Sequence, residues 1–377
     1  MDEIPDNALT GRSYRARVRA LLATAGLLVL AGSAAAGSPT VHTLRKSSTG
    51  PIEAVAQDGS AAAWFTFGGT HGCDAIHVLS PGKPDRMLPQ PSPNSTTCNW
   101  DLTDGLSQLA FAGHMSTALW TLHESGPAPF DYVMAAPIGG TERQVDRLAH
   151  ASDGTGKWLG SVAGSGKTLA YSWDDVEYVD KIACLSGGSC RRRIADGGIV
   201  IVTRTGDAPL PNVAPALQLA ASAGRIAYVP ATRVPANRPG ASTNGFVYVV
   251  DGTTGIAIAQ APVAGVPAAI ALSSHVLAVL TQRGPHDRIS WFSAADGTKL
   301  GTALVSHRAL PLLTASDQLI VYQVDRTLFG VSTTNGSVRV LAKTGPTSVG
   351  LSLTNGRLVW AENSGDSGRL RTLYVGS

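Results

Sequence analysis

Residues 245–261, with the sequence GFVYVVDGTTGIAIAQA, carry the clearest secondary-structure signal in the chain. Two runs of apolar and often β-branched residues, 246–250 and 256–261, flank Asp-Gly-Thr-Thr-Gly. Asp and Gly supply the side-chain-to-backbone hydrogen bonds and the positive φ angles of a tight turn, so this pattern predicts an antiparallel hairpin. The arrangement returns as DRISWFSAADGTKLGTAL from Asp287 and as RTLFGVSTTNGSVRVLA from Arg326.

A second type of hairpin recurs along the whole chain. It consists of an apolar strand, a short polar turn that often contains Gly, and small or aliphatic residues before a final aromatic residue or Val. The final residues are Trp64, Phe111, Tyr171, Tyr228, Val279, Val321 and Trp360. Their spacings of 47, 60, 57, 51, 42 and 39 residues resemble the period of roughly 40–50 residues found in β-propeller blades.

The two hairpins together predict an all-β chain of seven four-stranded antiparallel blades. The predicted units are 52–96, 101–148, 158–213, 214–265, 266–307, 308–347 and 348 onward. The last unit supplies only three strands. Residues 41–45, VHTLR followed by KSSTGP, resemble 338–342, VRVLA followed by KTGP. We therefore expect the N-terminal strand to complete the last blade, which would pair both open sheet edges.

The chain resembles seven-bladed β-propellers with WD40-like or PQQ-like repeats over residues 41–377, and also uncharacterised exported propeller proteins. VYVVDGTTG and WFSAADGT are similar to the Asp-x-x-Thr-Gly turn of the PQQ-like repeat. The downstream Trp of that repeat is absent, as is the Trp-Asp ending of WD40 repeats. The resemblance therefore implies the fold and not quinone chemistry.

Two architectural alternatives remain at this stage. Two stacked β-sandwiches would also place strands every 8–12 residues or so, but the sevenfold recurrence of one unit argues against them. Because the third unit has extra residues between Tyr171 and Ala214, six or eight blades are also open.

The N-terminus has the pattern of an export signal. Arg12, Arg15, Arg17 and Arg19 precede the apolar run 20–30, and three alanines at 34–36 match a cleavage site. We predict a signal peptide over 1–36 and a single mature domain over 41–377, secreted or held in the cell envelope. Retention of the apolar run as an uncleaved anchor is the alternative. No later stretch is long and apolar enough to span a membrane.

Four cysteines in an exported chain indicate two disulfides. Cys184 and Cys190 bracket Leu-Ser-Gly-Gly-Ser, which predicts a bridge across a hairpin, and Cys73 then pairs with Cys98 by elimination. Neither pair has the spacing of a zinc site. The net charge of +3 is too small and scattered to indicate nucleic-acid binding, and we expect a monomer.

Two short motifs suggest chemistry but fail in context. Residues 164–168, GSGKT, look like part of a phosphate loop, yet LAYSW follows and predicts a strand, whereas a phosphate loop must open a helix. Residues 152–158, SDGTGKW, resemble a sialidase aspartate box with the wrong spacing. Both are predicted to be connections between strands.

Propeller topology gives a better indication of where a ligand binds. The connections from second to third strand, and from one blade to the next, emerge on the same face. The long irregular segments here fall at those connections: 68–75, 89–101, 123–131, 147–157, 173–180, 229–245, 281–288 and 361–369. Long loops on a rigid face suit binding. The candidate ligand-face residues are Asp74, His123, Asp174, Asp175, Glu177, Arg233, Arg283, His286 and Glu362.

The acidic group at 174–177 offers oxygen ligands for Ca²⁺, although a solvated acidic loop explains it as well. No motif has catalytic spacing. We therefore expect a binding module for a protein or carbohydrate ligand, without catalysis and with no indicated cofactor. The alternative is a propeller enzyme of the lactonase, hydrolase or dehydrogenase type, with a metal or cofactor at the channel mouth.

Overall fold

A computed structural model describes most of the chain beyond the N-terminal segment. The described residues are 40–47, 50–66, 75–88, 106–124, 129–185, 190–232, 245–283, 286–306 and 309–376. The predicted signal peptide over 1–36 lies outside them, as do Cys73, Asp74, Cys98 and Arg233.

Within the described residues, 28 strands form seven antiparallel sheets of four strands, the blades of a β-propeller. Blade 1 contains β2 (Ile52–Asp58), β3 (Ala61–Thr66), β4 (Ala75–Leu79) and β5 (Arg86–Met87); blade 2 contains β6 (Leu106–Ala112), β7 (Thr117–Glu124), β8 (Phe130–Pro137) and β9 (Arg143–Ala149); blade 3 contains β10 (Gly156–Ser165), β11 (Thr168–Tyr178), β12 (Arg192–Val202) and β13 (Asp207–Pro209). A five-residue helix, α1 (Lys181–Leu185), follows β11.

The remaining blades repeat the same order. Blade 4 contains β14 (Ala216–Ser222), β15 (Arg225–Pro230), β16 (Phe246–Asp251) and β17 (Ala257–Pro262); blade 5 contains β18 (Val266–Leu272), β19 (Val276–Arg283), β20 (His286–Ser293) and β21 (Lys299–Ser306); blade 6 contains β22 (Ala309–Ala315), β23 (Leu319–Val324), β24 (Thr327–Ser332) and β25 (Val338–Lys343); blade 7 contains β26 (Thr347–Thr354), β27 (Arg357–Ser364), β28 (Ser367–Tyr374) and β1 (Val41–Ser47). The strands of each blade are called A to D in this order.

The N-terminal strand closes the ring. β1 pairs antiparallel with β28, with Val41 opposite Leu373 and Ser47 opposite Gly368. Strand A of each blade contacts strand A of both neighbouring blades, and β26 of blade 7 contacts β2 of blade 1. The predictions of seven blades and of an N-terminal closing strand are confirmed.

The hydrophobic core is divided among the gaps between neighbouring blades, with one apolar cluster in each of the seven gaps. Phe65, Phe111 and Trp120 fill the gap between blades 1 and 2 and are almost fully buried. Burying one such side chain stabilises a fold by roughly 2–3 kcal/mol. Packing between blades therefore fixes how each blade presents its connections.

The hairpin at 245–261 forms as its sequence predicts. The carboxylate Oδ1 of Asp251 accepts hydrogen bonds from the backbone N–H groups of Thr253 at 3.0 Å and Thr254 at 2.8 Å, and from Thr254 Oγ1 at 2.9 Å. These bonds lower the pKa of Asp251. Gly255 has a φ of +68°, and a Cβ there would lie 1.7 Å from the carbonyl oxygen of Pro211. Only glycine fits this turn.

The propeller has two faces with different connections. We call the face with the A–B and C–D turns the turn face, and the face with the B–C and D–A connections the loop face. GSGKT lies on the turn face, where Gly166 and Lys167 form an A–B turn and Thr168 begins β11. Among the described residues, no helix has the length and apolar character needed to cross a membrane.

Three of the predicted long loops prove to be strands with short turns. Residues 173–178 belong to β11, and most of 361–369 belongs to β27 and β28. Only two residues separate β19 from β20 in the region 281–288. Charged residues in these segments broke the apolar pattern, but cross-strand pairing carries both strands of each hairpin through them.

Candidate functional site

Three polar side chains meet at the loop-face end of blade 2. His123 lies near the end of strand B (β7), Asp131 near the start of strand C (β8), and His150 directly after strand D (β9). His123 and Asp131 are cross-strand partners. His150 is held beside them because its backbone N–H donates to the carbonyl of Pro129 at 3.2 Å. We call these three residues the blade-2 triad.

The ligand atoms of the blade-2 triad, two imidazole nitrogens and one carboxylate oxygen, all lie within 4.8 Å of one another. His123 Nδ1 is 2.8 Å from Asp131 Oδ1, and His150 Nε2 is 3.6 Å from Asp131 Oδ2. Within the described part of the chain, no other group of three or more His, Cys, Asp or Glu side chains brings its ligand atoms this close together.

A tightly bonded D–A connection places the third member of the triad. Asp153 Oδ1 accepts from the backbone N–H of Thr155 at 2.9 Å and from its hydroxyl at 2.6 Å. Gly156 has a φ of +96°, and a Cβ there would lie 2.8 Å from the Cα of His150. The ring of Trp158 then stacks on the imidazole of His150 with 3.9 Å between centroids. SDGTGKW therefore orients His150, in the D–A connection predicted for it.

The His150 imidazole is buried without a hydrogen-bond partner among the described residues. Its side chain is 3% exposed, and neither ring nitrogen has a hydrogen-bond partner among the described residues. Burial lowers the pKa of His150; the Asp131 carboxylate opposes this shift and His123 adds to it. An imidazole with two unsatisfied buried nitrogens is unusual in a folded protein, since such groups are normally paired.

The triad lies where blade 2 faces blade 3. Asp131 Oδ2 accepts a 3.4 Å hydrogen bond from the backbone N–H of Leu159 in β10. The His123 side chain is 36% exposed, whereas Asp131 is 12% exposed. The cluster is therefore closed toward the interior and open toward the loop face on the His123 side.

Blade 3 carries a second feature of the loop face, a projecting hairpin. β11 and β12 each have 11 residues, but β10 pairs with β11 only as far as Val176. Beyond that point a two-stranded ribbon continues, with Tyr178 opposite Arg192. A disulfide joins Cys184 to Cys190 near its tip, the pairing that their spacing predicts. We call residues 177–193 the blade-3 hairpin.

The acidic residues near this hairpin do not form a common ligand set. Asp174 and Asp175 are consecutive in β11 and so point to opposite faces of the sheet. Asp174 is 2% exposed and its Oδ2 has no hydrogen-bond partner among the described residues. Burial raises its pKa to about 6, with a further contribution from Asp175. Glu177 instead forms an ion pair with Arg193.

The other described candidates are spread around the ring. Arg283 and His286 are opposite each other at the B–C turn of blade 5. Glu362 lies in strand B of blade 7, where it accepts a 2.9 Å hydrogen bond from Trp360 Nε1 and approaches Arg371 Nε at 3.4 Å. Of the predicted ligand-face residues, only His123 belongs to the triad.

The central channel opens into a cavity of about 420 Å³ on the turn face. It is bordered by polar side chains at or beside the A–B turns, including Ser222, Ser274, Gln318 and Asn355. Asp317 is the acidic residue of this mouth. It accepts hydrogen bonds from the hydroxyls of Ser273 and Ser274 at 2.6 and 2.9 Å, and from the backbone and ring of His275. These contacts tie blade 6 to blade 5.

The sequence interpretation missed Asp131 and His150. Both lie in segments that were predicted as irregular loops, 123–131 and 147–157, so their pairing with His123 could not be seen. The available signal was the turn itself: extending the β7–β8 hairpin toward its loop sets His123 opposite Asp131. His150 required knowledge of where strand D ends.

No family model and no curated protein matches the sequence. Among solved structures, the chain is similar to BamB from Moraxella catarrhalis, with 14% identity, a TM-score of 0.43, and 85% of each chain covered. It is also similar to the Pan2 WD40 domain from Neurospora crassa, with 11% identity, a TM-score of 0.44, and coverage of 90% of this chain and 99% of that one. The computationally designed Ika8 protein has 13% identity and a TM-score of 0.47, with 88% and 98% covered.

Proposed function

We propose that this protein is an exported, monomeric binding module that holds an acidic protein partner on its loop face through the blade-3 hairpin. The observation that carries the proposal is the apolar tip of that hairpin. Val179 is 55% exposed and Ile182 is 82% exposed, on a ribbon that extends past the sheet. Large apolar side chains displayed on a projecting element are typical of protein-binding sites.

The charge around the tip indicates the chemistry of the partner. Residues 177–193 contain four basic and two acidic side chains. Arg193 and Glu177 compensate each other, while Lys181 and Arg191 are exposed. A partner with an apolar pocket bordered by carboxylates would complement this surface, and arginine is common in such contacts.

The hairpin is held in one orientation before it meets a partner. Tyr178 donates its hydroxyl to Asp153 Oδ2 at 3.1 Å, and Arg192 Nη1 donates to the carbonyl of Asp153 at 3.0 Å. The disulfide near the tip further limits its motion and supports export, since structural disulfides persist outside the reducing cytosol. A rigid binding element loses little conformational entropy when it binds.

A groove of about 600 Å³ lies between this hairpin and blade 4. Arg192 and Arg193 border it on one side, and Pro215 and Thr232 on the other. A partner segment that contacts the apolar tip could continue into this groove, which enlarges the contact beyond two side chains.

Site-specific photo-crosslinking tests the proposal in the protein's native cell. A photoreactive residue at position 182 is compared with one at Ile256, an isoleucine that is 63% exposed on the C–D turn of blade 4. We expect one discrete protein adduct from position 182 and none from position 256, and loss of the adduct in Arg191→Glu. Equal labelling at both positions, or no adduct at 182, would contradict the proposal. A carbohydrate ligand would be indicated instead if a glycan array gave binding that Ile182→Asp abolishes.

A further inference from the structure

We infer that the blade-2 triad of His123, Asp131 and His150 is a zinc-binding site on the loop face. The inference does not depend on the blade-3 hairpin or its partner, because none of the three residues belongs to that hairpin. It rests on the identity of the three ligands, on the distances between them, and on the buried imidazole of His150, which has no hydrogen-bond partner among the described residues.

The donor set suits a borderline divalent ion. Two imidazoles and one carboxylate are ligands that zinc accepts, and three protein ligands are typical of sites that leave a fourth position open. Ligand atoms about 2.1 Å from a tetrahedral zinc ion lie roughly 3.4 Å apart. Here His123 Nδ1 lies 2.8 Å from Asp131 Oδ1 and His150 Nε2 lies 3.6 Å from Asp131 Oδ2, and one ligand atom from each residue can be chosen so that all three lie within 4.8 Å of one another. Closing the widest of these separations to about 3.4 Å would place an ion at bonding distance from all three.

The unpartnered His150 is the second, independent observation. Its side chain is 3% exposed, and its Nε2 faces Asp131 at 3.6 Å, beyond hydrogen-bond distance. An ion between these two atoms would satisfy a buried nitrogen that otherwise has no hydrogen-bond partner among the described residues. The stack on Trp158, with 3.9 Å between centroids, fixes the ring plane, so little reorganisation is needed.

The surroundings also resemble those of a built site. Asp131 Oδ2 accepts a 3.4 Å hydrogen bond from the backbone N–H of Leu159, and this bond orients the carboxylate. Such supporting bonds commonly hold metal ligands in place. The His123 side is 36% exposed, so the open fourth position would point to solvent on the loop face, where water or an oxygen of a bound ligand could fill it.

A second His–Asp pair in the same chain provides a matched control. His275 Nδ1 lies 2.8 Å from Asp317 Oδ2, the same separation as in His123 and Asp131. Hydroxyl and backbone donors already occupy Asp317, and its pair does not belong to a three-ligand cluster among the described residues. Substituting His275 therefore removes a His–Asp contact without removing the proposed site.

The test is zinc binding by the full chain, purified without a polyhistidine tag. We expect one tightly held zinc ion per chain by elemental analysis, and a visible absorption band after replacement with Co²⁺. His150→Ala and Asp131→Asn should weaken zinc binding at least 100-fold, and His275→Ala should leave it unchanged. His123→Ala alters a partly exposed side chain and remains informative if His150→Ala does not fold.

Thermal unfolding with and without zinc provides a second readout. Zinc should raise the Tm of the unmodified chain and of His275→Ala, and should leave that of His123→Ala unchanged, because only a bound ion stabilises the folded state. The inference is overturned if the folded, unmodified chain retains no zinc. It is also overturned if His123→Ala and Asp131→Asn bind zinc as tightly as the unmodified chain, or if His275→Ala weakens binding to the same extent.

Discussion

The A–B turns around the channel and the loop face use their titratable side chains differently. On the turn face, Asp58 of blade 1 accepts hydrogen bonds from the backbone N–H of Gly113 in blade 2 at 2.5 Å and of Gly166 in blade 3 at 2.7 Å. On the loop face, His150 and Asp174 are buried with polar atoms that have no hydrogen-bond partner among the described residues. The hydrogen bonds of Asp58 join three blades. The buried polar atoms of His150 and Asp174 make no such bonds and are therefore available to contact a ligand.

Asp317 and Asp174 express the same contrast through their pKa values. Burial opposes ionisation of Asp317, but hydrogen bonds from Ser273, His275 and Ser274 prevail and lower its pKa to about 2. Burial raises the pKa of Asp174 to about 6. The outer C–D turns of the turn face contain exceptions: Asp85 Oδ1 in blade 1 and Glu142 Oε2 in blade 2 have no hydrogen-bond partner among the described residues. Burial raises the pKa of Glu142 to about 7.

Amide side chains also join blades on the loop face, so the difference concerns titratable groups and not stability in general. Asn363 of blade 7, for example, accepts from the N–H of Ile52 at 2.9 Å and donates to its carbonyl at 2.7 Å. Buried polar groups that lack partners are few in native proteins and are concentrated at functional sites. The comparison therefore assigns a structural role to the channel turns and supports a ligand on the loop face.

The largest effect is expected when the joint between three blades is removed. Asp58→Ala deletes two charge-assisted hydrogen bonds and leaves two backbone N–H groups without a partner, so the free energy of unfolding should fall by about 3 kcal/mol. Urea denaturation followed by tryptophan fluorescence measures this change. Asp366→Ala, at an exposed B–C turn on the loop face, is the control and should change stability by less than about 0.5 kcal/mol. Equal effects of the two substitutions would break the comparison.

Much of the fold could be predicted because short stretches of the sequence determine their own local structure. Turns such as Asp-Gly-Thr-Thr-Gly specify their own hydrogen bonds, and seven repeats of one unit specify a ring. The triad could not be predicted in the same way, because His123, Asp131 and His150 converge only when strands B, C and D have correct ends. Asp58 is a similar case: its partners Gly113 and Gly166 are 55 and 108 residues away in the chain, and nothing in its own turn indicates them.

A medium effect with the opposite sign is expected at Asp174. Because its folded pKa of about 6 exceeds the ordinary value, its contribution to stability is complete below about pH 4 and is lost as the pH rises through 6. Asp174→Asn removes this loss and should raise the free energy of unfolding by about 2 kcal/mol at pH 8, with little change at pH 4. Urea denaturation at a series of pH values from 4 to 8 measures the free energy of unfolding of both chains and tests both expectations.

Asp317→Asn is the matched carboxylate substitution on the turn face. Its folded pKa of about 2 lies below the ordinary value, so its contribution is present above about pH 4 and is lost as the pH falls through 2. The side chain is 38% exposed, and solvent screening limits the expected destabilisation at pH 7 to about 1 kcal/mol. If Asp174→Asn and Asp317→Asn change stability in the same direction at pH 8, the contrast between the two carboxylates is wrong.

The smallest effect compares two ion pairs. Arg143 of blade 2 binds both carboxylate oxygens of Asp207 in blade 3, each at 2.6 Å, and also donates to the carbonyl of Thr203 at 2.8 Å. Arg193 contacts a single oxygen of Glu177 within one hairpin, and both side chains are largely exposed, at 64% and 45%. Bidentate pairing between blades should make Arg143→Ala cost about 1 kcal/mol, whereas Arg193→Ala should cost less than about 0.5 kcal/mol.

Thermal denaturation of the two variants at low and high salt measures the difference in stability, which should persist at high salt because the Arg143 contact also uses a backbone carbonyl.

The same pair of variants also separates stability from binding. Arg193→Ala should leave the fold intact and yet reduce cross-linking from position 182, because it removes a positive charge from the base of the hairpin and leaves Glu177 uncompensated. Arg143→Ala should do the reverse, since Arg143 lies on the turn face. If cross-linking falls in both variants in proportion to their loss of stability, then binding by the hairpin depends only on how stable the folded propeller is. The proposed distinction between the two faces would then be wrong.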